Sequence, residues 1–476
     1  MKILFCASEA APFIKTGGLA DVAGSLPLAV KNMGHDIRVV IPLFSQVDPD
    51  LRERMEFIGY YYVDLAFRHE YVGVYTLDFR GVTYYFLDSQ RYFDRQQIYG
   101  EGDDGERFLF FSKAVVQLPK VINFKPDVIH SNDWHTAMVN VYVKDFARGD
   151  QYYKDIKCLY TIHNLKYQGV FPASILATAG LSPFYFNEDG LKYFDAVNFM
   201  KGGIIYCDAF TTVSGTYAME IKNPFYGEGL DGVIRAYDYK LRGIINGIDY
   251  EVWNPETDQF LAQNYSIETF PDKIENKREI QRRYGLPEKD DVPMIALVSR
   301  LVDMKGIDLV RYIMDELLAT EDIQFVMLGT GEETYEEMFR YFEWKYPEKM
   351  AARIYYNNEE SHLIYGGTDL FLMPSIAEPC GISQLISMRY GAIPIVRETG
   401  GLKDTVMPYN EYENTGTGFT FTNINAHDLL YTIRRALSFF HKEKDRNIII
   451  ENGMYEKNDW DESGKEYIRL YEELGK

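Results

Sequence analysis

The sequence predicts an α/β protein made of two doubly wound domains, each with a mostly parallel sheet. Short apolar runs that suit buried strands alternate with segments whose apolar residues recur at helical spacing, and this alternation occurs in both halves. The chain has 476 residues, of which 46% are hydrophobic, so it is long enough and apolar enough for two large cores. Parallel strands joined by helices imply right-handed crossovers.

The first half begins with a β-loop-α-β unit. Residues 2–7 suit a buried strand, and a helix is predicted from Leu19 to Met33 because its apolar positions recur every three or four residues. Pro27 is expected to kink this helix, and Gly34 to end it. Further strands are predicted at 37–41, 127–130 and 158–162, and the last two are expected to run into polar loops at 131–135 and 163–164.

The second half repeats the pattern after a predicted join near Asn246-Gly247, a pair typical of turns. Strands are predicted at 294–298, 324–328, 370–373 and 393–396. Residues 253–273 are expected to form an extended connector, and Trp460 to Leu474 an amphipathic helix. The predicted divisions are a first domain at 1–243, a second at 244–456 and a terminal helix within 457–476.

Composition excludes several classes of function. A formal net charge of −21 argues against binding to nucleic acid or anionic membranes. The four cysteines are scattered, which fits a reducing cytosol, and neither a signal peptide nor an apolar run of about 18 residues is evident. A cytoplasmic location is therefore expected. The 38 tyrosines and 30 phenylalanines are explained first by core packing, with sugar stacking as the alternative.

Three loops carry candidate chemistry. Residues 15–18 (Lys-Thr-Gly-Gly) precede a helix and suit an anion site, although a simple tight turn fits the spacing equally well. Residues 299–306 place Arg300 and Lys305 after the end of a strand, where ligands bind in doubly wound sheets. These two cations suit a phosphate site, and the alternative is that both are ordinary solvated side chains. Residues 374–384 lead from the end of a strand into a helix predicted near Ile382. In this loop Glu378 is a candidate for binding sugar hydroxyls, and an ordinary solvated glutamate is the alternative.

Together these loops resemble one family, the bacterial glycogen synthases and plant starch synthases of glycosyltransferase family 5. The resemblance runs from the first residues to the last helix. The matching segments are MKILFCASEAAPFIKTGGLADVAGSLP at the start, His130 to His135, Thr161 to Asn164, Asn246 to Asp249, Ser299-Arg300 with Lys305-Gly306, and Pro374-Ser375 with Glu378 to Gly381.

The resemblance implies a GT-B fold, in which two Rossmann-like domains face each other across a deep cleft and the last helix crosses back to the first domain. It assigns acceptor binding and catalysis to the first domain and nucleotide-sugar binding to the second. The implied reaction transfers glucose from ADP-glucose to the non-reducing end of an α-1,4-glucan (glycogen or a maltooligosaccharide) with retention at the anomeric carbon. No metal or other cofactor is implied.

The resemblance also assigns residues. Arg300 and Lys305 are expected on the diphosphate, Glu378 on the glucose hydroxyls and His163 beside the reacting sugar, and these four form the catalytic set. The expected nucleotide-sugar pocket contains Lys15, Gly17, Gly18, Asp21, Asn164, Asn246, Tyr356, Cys380, Gly381, Ile382 and Ser383. The expected acceptor residues are Tyr99, Asp133 and Trp134.

Alternatives remain from the sequence. No clear second carboxylate is available as a nucleophile, since Ile386 stands where the broader superfamily has a glutamate, and this favours a same-face mechanism over a covalent intermediate. Another GT-B transferase, such as one that makes sucrose, is the first alternative. A non-catalytic glucan-binding scaffold is the second, although it would predict damage to the cations or to Glu378.

Overall fold

The computed structural model describes residues 1–476, which form two compact units. Unit 1 comprises Met1–Asn246 together with Trp460–Lys476, and unit 2 comprises Gly247–Asp459. These divisions fall a few residues after the boundaries expected from the sequence. None of the helices combines the length and apolar composition that a bilayer span requires.

Unit 1 is organised around a nine-stranded sheet in the order β12-β11-β7-β6-β1-β2-β5-β4-β3. The strands from β12 to β5 pair in parallel, whereas β3 and β4 extend the sheet as an antiparallel edge. A separate sheet contains β8, β10 and β9. The strands are β1 Lys2–Cys6, β2 Asp36–Pro42, β3 Glu56–Leu65, β4 Arg68–Phe79, β5 Val82–Asp88, β6 Val128–Asn132, β7 Lys157–Ile162, β8 Val170–Pro172, β9 Lys192–Tyr193, β10 Ala196–Asn198, β11 Ala209–Thr212 and β12 Leu241–Gly243.

The α-helices of unit 1 are α1 Gly18–Asn32, α2 Pro49–Glu53, α3 Gln90–Phe93, α4 Asp104–Val121, α5 Asp133–Phe146, α6 Ile175–Ala179, α7 Phe199–Tyr206, α8 Gly215–Glu220, α9 Asp231–Ala236 and, from the far end of the chain, α18 Trp460–Leu474. Helices α1, α4, α5, α7 and α8 contact strands of the nine-stranded sheet. Within α1, Pro27 has no N–H to donate to the carbonyl of Ala23. The hydroxyl of Tyr84 donates to that carbonyl at 3.4 Å, so the oxygen keeps a partner.

Helix α18 is part of the unit 1 core although more than two hundred residues separate it in sequence from the rest of the unit. It packs beside α1, and Tyr467 and Tyr471 are fully buried. The hydroxyl of Tyr471 lies 2.7 Å from Nδ1 of His130 in β6. The helix spans the same residues, Trp460 to Leu474, that the sequence predicts.

Unit 2 contains an all-parallel sheet of six strands in the order β15-β14-β13-β16-β17-β18. The strands are β13 Met294–Val298, β14 Gln324–Leu328, β15 Met350–Arg353, β16 Leu370–Met373, β17 Ile393–Arg397 and β18 Phe419–Phe421. The helices are α10 Ile274–Tyr284, α11 Ile307–Thr320, α12 Glu333–Lys345, α13 Asn358–Gly367, α14 Ser383–Arg389, α15 Gly400–Thr405, α16 Ala426–Phe440 and α17 Glu443–Tyr455.

Two local predictions are wrong. Residues 253–273 do not form an extended connector, because they fold onto unit 2 and bury Asp258 and Tyr265. Each of these two side chains bonds both to α13 and to Tyr390, the residue after α14. Residues 131–135 do not form a loop either, because β6 ends at Asn132 and α5 begins at Asp133. Asp133 makes this junction possible by adopting a φ of 55°, which turns the chain within one residue.

Candidate functional site

In each sheet, successive strands are added first on one side of the initial strand, β1 or β13, and then on its other side. The order of strands therefore reverses between β1 and β6 in unit 1 and between β13 and β16 in unit 2. Ligands of doubly wound sheets bind outside the carboxyl ends of the strands at such points. Most of the predicted site residues lie after β1 and β6 in unit 1 or after β13 and β16 in unit 2, so each unit contributes a separate half-site.

In unit 1 the loop after β1 is held by Glu9. Its carboxylate accepts hydrogen bonds from the backbone N–H of Thr16 at 2.5 Å and from the Thr16 hydroxyl at 2.8 Å. Glu9 is almost completely buried, and this burial raises the pKa of its carboxyl to about 7. The bonds fix the backbone immediately before α1.

The glycines predicted to bind phosphate lie at the start of α1. Gly17 is the N-cap in extended conformation and Gly18 is the first helical residue, so the first N–H groups of the helix are open to an anion. Lys15 is exposed, and its Nζ lies 2.7 Å from a carboxylate oxygen of Asp21. The structure therefore brings Lys15 and Asp21 together, and an arriving anion would compete with Asp21 for the ammonium group.

Asp133, at the carboxyl end of β6, holds the loop that follows β7. Its Oδ1 accepts hydrogen bonds from the backbone N–H of His163 at 2.8 Å and of Asn164 at 3.3 Å. Burial raises the pKa of this carboxyl to about 7, and the charge of nearby Glu9 contributes to the rise. The predicted contact of Asp133 with an acceptor stays a prediction, while its contact with the His163 loop is present.

The ring of His163 is neutral around pH 7, since burial lowers its pKa to about 3. Its Nε2 donates to the side-chain oxygen of Asn132 at 2.9 Å, which leaves Nδ1 as an acceptor. A neutral ring with a free lone pair and a backbone carbonyl can stabilise developing positive charge, whereas an imidazolium would oppose it.

The rings of the predicted acceptor residues Tyr99 and Trp134 both pack against the ring of His135. Their ring centroids are 4.5 Å and 4.1 Å, respectively, from that of His135. The Tyr99 hydroxyl lies 2.7 Å from the Ser8 hydroxyl, and burial raises its pKa well above the usual value. The contact between Tyr99 and Ser8 places these packed rings next to the Glu9 loop.

The raised pKa of Glu9 leads to a pH-dependent stability. Because the folded-state pKa of about 7 exceeds that of an unfolded glutamate, the unfolded chain binds fewer protons between about pH 4.5 and 7. Ionised Glu9 therefore opposes folding, and stability should fall as pH rises through this window. Glu9→Gln should remove up to about 1.4 kcal/mol of this loss per pH unit, measured by urea unfolding at several pH values.

The matched control is Glu466→Gln on the exposed side of α18, which should follow the wild-type pH dependence. Parallel stability curves for the wild type and Glu9→Gln between pH 4.5 and 7 would contradict the assignment.

In unit 2 the structure joins Lys305 to Glu378. Their Nζ and Oε2 atoms lie 2.6 Å apart, and the Ser375 hydroxyl donates to the same oxygen at 3.0 Å. Glu378 is 7% exposed and the Lys305 side chain is mostly buried, so the pair is largely shielded from water. An anion bound at Lys305 would therefore be close to the carboxylate of Glu378.

Gly306 allows the Lys305 loop to approach the loop after β16. Its φ is +71°, and a Cβ at this position would lie 2.0 Å from the carbonyl oxygen of Pro374. We expect Gly306→Ala to destabilise unit 2 by at least about 2 kcal/mol, because it adds backbone strain to a backbone clash. Urea unfolding measures this loss.

Gly453→Ala in α17 is the matched control in the same unit, since its Cβ would meet only ordinary contacts at 3.4 Å from Met388. It should be neutral or slightly stabilising, as expected for alanine in a helix. Equal stability of the two alanine variants would refute the proposed close approach.

The remaining predicted residues are connected to different degrees. Ser383 opens α14, and its hydroxyl accepts from Tyr365 at 2.9 Å. Tyr356 is exposed, and its hydroxyl donates to the side-chain oxygen of Asn358 at 3.3 Å. Arg300 is exposed and its guanidinium makes no hydrogen bond or ion pair.

The other predicted members of the pocket occupy special positions in the chain. Gly381 has a φ of +72°, and a Cβ there would meet the side chain of Gln384. Cys380 is buried, and Ile382 is the N-cap of α14. Asn246 ends unit 1 and is buried with its side-chain oxygen unpaired.

Three residues of these half-sites were missed by the sequence reasoning. Glu9 could have been found as a carboxylate directly after a buried strand. Ser375 stands in one of the matching segments but was given no role. Arg397 gave no signal, because its contact with the loop after β16 depends on the pairing of β16 with β17. Arg397 is buried and donates to the carbonyl oxygens of Ser375 and Ile376 at 2.8 Å and 2.5 Å, which holds the loop that leads to Glu378.

Comparison with known proteins gives full-length matches. The family model for the starch synthase catalytic domain matches residues 2–236, and the model for glycosyl transferases group 1 matches residues 276–454. A glycogen synthase of Finegoldia magna is 63% identical over 474 residues, covering 100% of both chains.

Solved structures give the same result for the fold. The catalytic domain of starch synthase IV from Arabidopsis thaliana, bound to ADP and acarbose, has a TM-score of 0.92 and 32% identity, with 100% of this chain and 99% of that chain covered. Sucrose-phosphate synthase from Thermosynechococcus elongatus has a TM-score of 0.63 and 15% identity, with 99% and 98% covered, and is similar in fold alone. These neighbours confirm the GT-B fold class predicted from the sequence.

Proposed function

Because the chain belongs to the glycogen synthase family of glycosyltransferases, we propose that it transfers glucose from ADP-glucose to the non-reducing end of an α-1,4-glucan. The observation that carries this proposal is the 63% identity over the full length to a glycogen synthase. The choice of ADP as the nucleotide is supported by the structure of starch synthase IV, which contains bound ADP and is 32% identical in sequence to this chain.

Unit 2 is proposed to bind the donor. Lys305 and Arg300 would contact the diphosphate, where two cations can stabilise charge that develops on departing ADP. The backbone N–H groups at the start of α14 and the Ser383 hydroxyl would hold phosphate oxygens. Glu378, held by Ser375 and Lys305, would accept hydrogen bonds from glucose hydroxyls.

Tyr356 is proposed to stack on the adenine ring. Its side chain is 63% exposed, so one face is available to a planar base. Tyr356 follows β15, which belongs to the same parallel sheet as β13 and β16, and the loops after those two strands carry the other residues proposed for the donor site.

Unit 1 is proposed to bind the acceptor and to supply groups for the reacting sugar. Tyr99 and Trp134 would pack against the glucan, and Lys15 with the first N–H groups of α1 would add contacts to the diphosphate. The neutral ring of His163 suits a place beside the anomeric carbon, where positive charge develops during transfer.

The proposed step exchanges one bond for another at the anomeric carbon. The bond from C1 to the phosphate oxygen breaks, its electron pair leaves with ADP, and the 4-hydroxyl oxygen of the acceptor bonds to C1 from the same face. The proton of that hydroxyl passes to the departing phosphate oxygen. A covalent intermediate would need a carboxylate nucleophile. Residue 386 on α14 is an isoleucine that packs into the apolar core of unit 2, so α14 offers no such carboxylate at this position.

The direct test gives the purified protein glycogen and either ADP-glucose or UDP-glucose in parallel, and scores the nucleotide released. We expect release with ADP-glucose that depends on glycogen. Release only with UDP-glucose would overturn the donor assignment. Release that does not require a glucan, or none from either donor, would overturn the proposed transfer.

A transferase acting on another acceptor, such as one that makes sucrose, is the second candidate. The similarity to sucrose-phosphate synthase supports it through the fold only, at 15% identity. Replacing glycogen by fructose 6-phosphate in the same assay separates the two functions.

A further inference from the structure

Tyr365 is a buried tyrosine of α13 whose hydroxyl reaches a residue of the proposed donor site. It is 3% exposed, and its phenolic O–H donates to Oγ of Ser383 at 2.9 Å. Ser383 is half-buried at the start of α14, and its hydroxyl is one of the groups proposed to hold a phosphate oxygen. Tyr365 itself has no part in the donor site described so far, so its hydroxyl needs a separate explanation.

The ring of Tyr365 is fixed by aromatic neighbours. It stacks on Phe371 of β16 with ring centroids 5.0 Å apart, and it meets the ring of Trp253 edge-on at 5.7 Å. Trp253 is stacked in turn on His362, three residues before Tyr365 in α13, with centroids 3.9 Å apart. A ring packed in this way has little freedom to turn, so the bond from its hydroxyl to Ser383 has a fixed direction.

The backbone that carries this ring is also anchored. Nζ of Lys273 donates to the carbonyl oxygens of Tyr365 and Gly366 at 3.0 Å and 2.9 Å. These two residues belong to the last turn of α13, whose carbonyls have no partner within the helix. The carboxylate of Asp258 lies 2.7 Å from Nδ1 of His362 in the same helix. The segment 253–273 therefore holds α13 in place beneath the Tyr365 hydroxyl.

The direction of the bond decides what the Ser383 hydroxyl can do. A serine hydroxyl carries one proton to donate and lone pairs that accept. Because Tyr365 donates, it occupies the acceptor side of this hydroxyl. The proton of Ser383 has no acceptor within the protein and is available to a ligand. The arrangement favours a ligand atom that accepts hydrogen bonds, which is the property of a phosphate oxygen.

We propose that Tyr365 is a positioning residue for the donor phosphate, because it holds the Ser383 hydroxyl in the orientation that donates to a phosphate oxygen. This inference rests on the proposed function, which places a diphosphate beside Ser383. Two hydroxyls bonded in series also polarise each other, which strengthens the bond that Ser383 gives to the anion. Without Tyr365, the serine hydroxyl is free to rotate and to bond to nearby backbone groups instead.

The alternative is that the bond only satisfies a buried phenol. A hydroxyl with that role contributes to stability and has no specific effect on the nucleotide. A positioning hydroxyl affects nucleotide affinity, and it does so only while Ser383 keeps its own hydroxyl. The two roles therefore give different results in a double-mutant cycle.

The test is the Kd for ADP, measured by isothermal titration calorimetry on the full-length wild type, Tyr365→Phe, Ser383→Ala and the double variant. Phenylalanine keeps the ring packing and removes one oxygen. We expect Kd to rise about five-fold in Tyr365→Phe and about ten-fold in Ser383→Ala, as for the loss of one hydrogen bond. The double variant should bind ADP as Ser383→Ala does, because Tyr365 acts through Ser383.

Three results would overturn the proposal. The first is a Kd about fifty-fold above the wild type in the double variant, which is the product of two independent losses. The second is an unchanged Kd in Tyr365→Phe, and the third is a wild type that does not bind ADP. The matched control is Tyr409→Phe, since this buried tyrosine of unit 2 donates its hydroxyl to Asp445 at 2.7 Å and has no contact with Ser383. It should bind ADP as the wild type does.

Kinetics give a second measurement that general damage to the fold would not reproduce. In Tyr365→Phe the KM for ADP-glucose should rise about five-fold, whereas kcat and the KM for glycogen stay at the wild-type values. This split follows because the bond is made equally to the bound donor and in the transition state. A fall in kcat with an unchanged KM for ADP-glucose would contradict the positioning role.

The calorimetric cycle needs neither a glucan nor turnover. If the protein transfers no glucose but the two substitutions are fully coupled in ADP binding, the proposed function fails and the positioning role stands. If transfer from ADP-glucose is normal and the two losses multiply, the positioning role fails and the proposed function stands.

Discussion

Replacing Lys305 by alanine should lower kcat with ADP-glucose and glycogen by about 100- to 1000-fold, the loss typical of removing one group that stabilises developing charge. In the proposed mechanism Lys305 acts on the diphosphate as ADP departs, so the effect falls on kcat more than on the KM for glycogen. The same change leaves Glu378 without its ion-pair partner, so the variant should also be less stable. The rate should be measured well below the Tm of the variant.

The matched control is Lys345→Ala, which removes an exposed lysine paired with Asp315 in the same unit and should leave turnover unchanged. Lys305→Arg keeps the charge with a different shape and should fall between the wild type and Lys305→Ala. Turnover near the wild-type value in Lys305→Ala would remove this lysine from the mechanism.

Asp133→Ala should be the most damaging single change in unit 1, affecting both stability and rate. It removes the acceptor for the N–H groups of His163 and Asn164, each of which then costs about 1–3 kcal/mol if left unsatisfied. It also places alanine at a φ of 55°, a conformation that aspartate tolerates better. Because the His163 loop loses its support, kcat should fall by about 100-fold or more. Urea unfolding and the nucleotide-release assay measure the two effects.

Asp133→Asn distinguishes the two causes, since asparagine keeps an acceptor oxygen and also tolerates the left-handed backbone. We expect it to recover most of the stability that alanine loses. An asparagine variant as unstable as the alanine variant would show that the hydrogen bonds to the His163 loop are not what Asp133 contributes.

The elements predicted best from the sequence are those whose pattern is local. In unit 2, Met294–Val298, Gln324–Leu328 and Leu370–Met373 are strands over the predicted residues. Apart from Gln324, each is a continuous apolar run, because a central parallel strand is buried on both faces. The terminal helix was equally readable, since its apolar residues recur at helical spacing.

Features that depend on long-range contacts or on one unusual residue were not readable. The antiparallel edge formed by β3 and β4 was not predicted, and its exposed tyrosines lack a clear alternation of apolar and polar residues. The direct passage from β6 into α5 depends on the backbone conformation of Asp133, which the expected polar loop did not anticipate. The resemblance named Lys305 and Glu378 separately, but their ion pair joins residues 73 positions apart and needed the fold.

The position of α18 affects how the polypeptide acquires its structure during synthesis. The ribosome makes residues 460–474 after the whole of unit 2, yet Tyr467 and Tyr471 fill the core beside α1 and β6. Until those residues emerge, the nascent first half has an open apolar seam where the helix belongs. Unit 2 is contiguous in sequence and can complete its core while synthesis is still under way, so the portion translated first is the portion completed last.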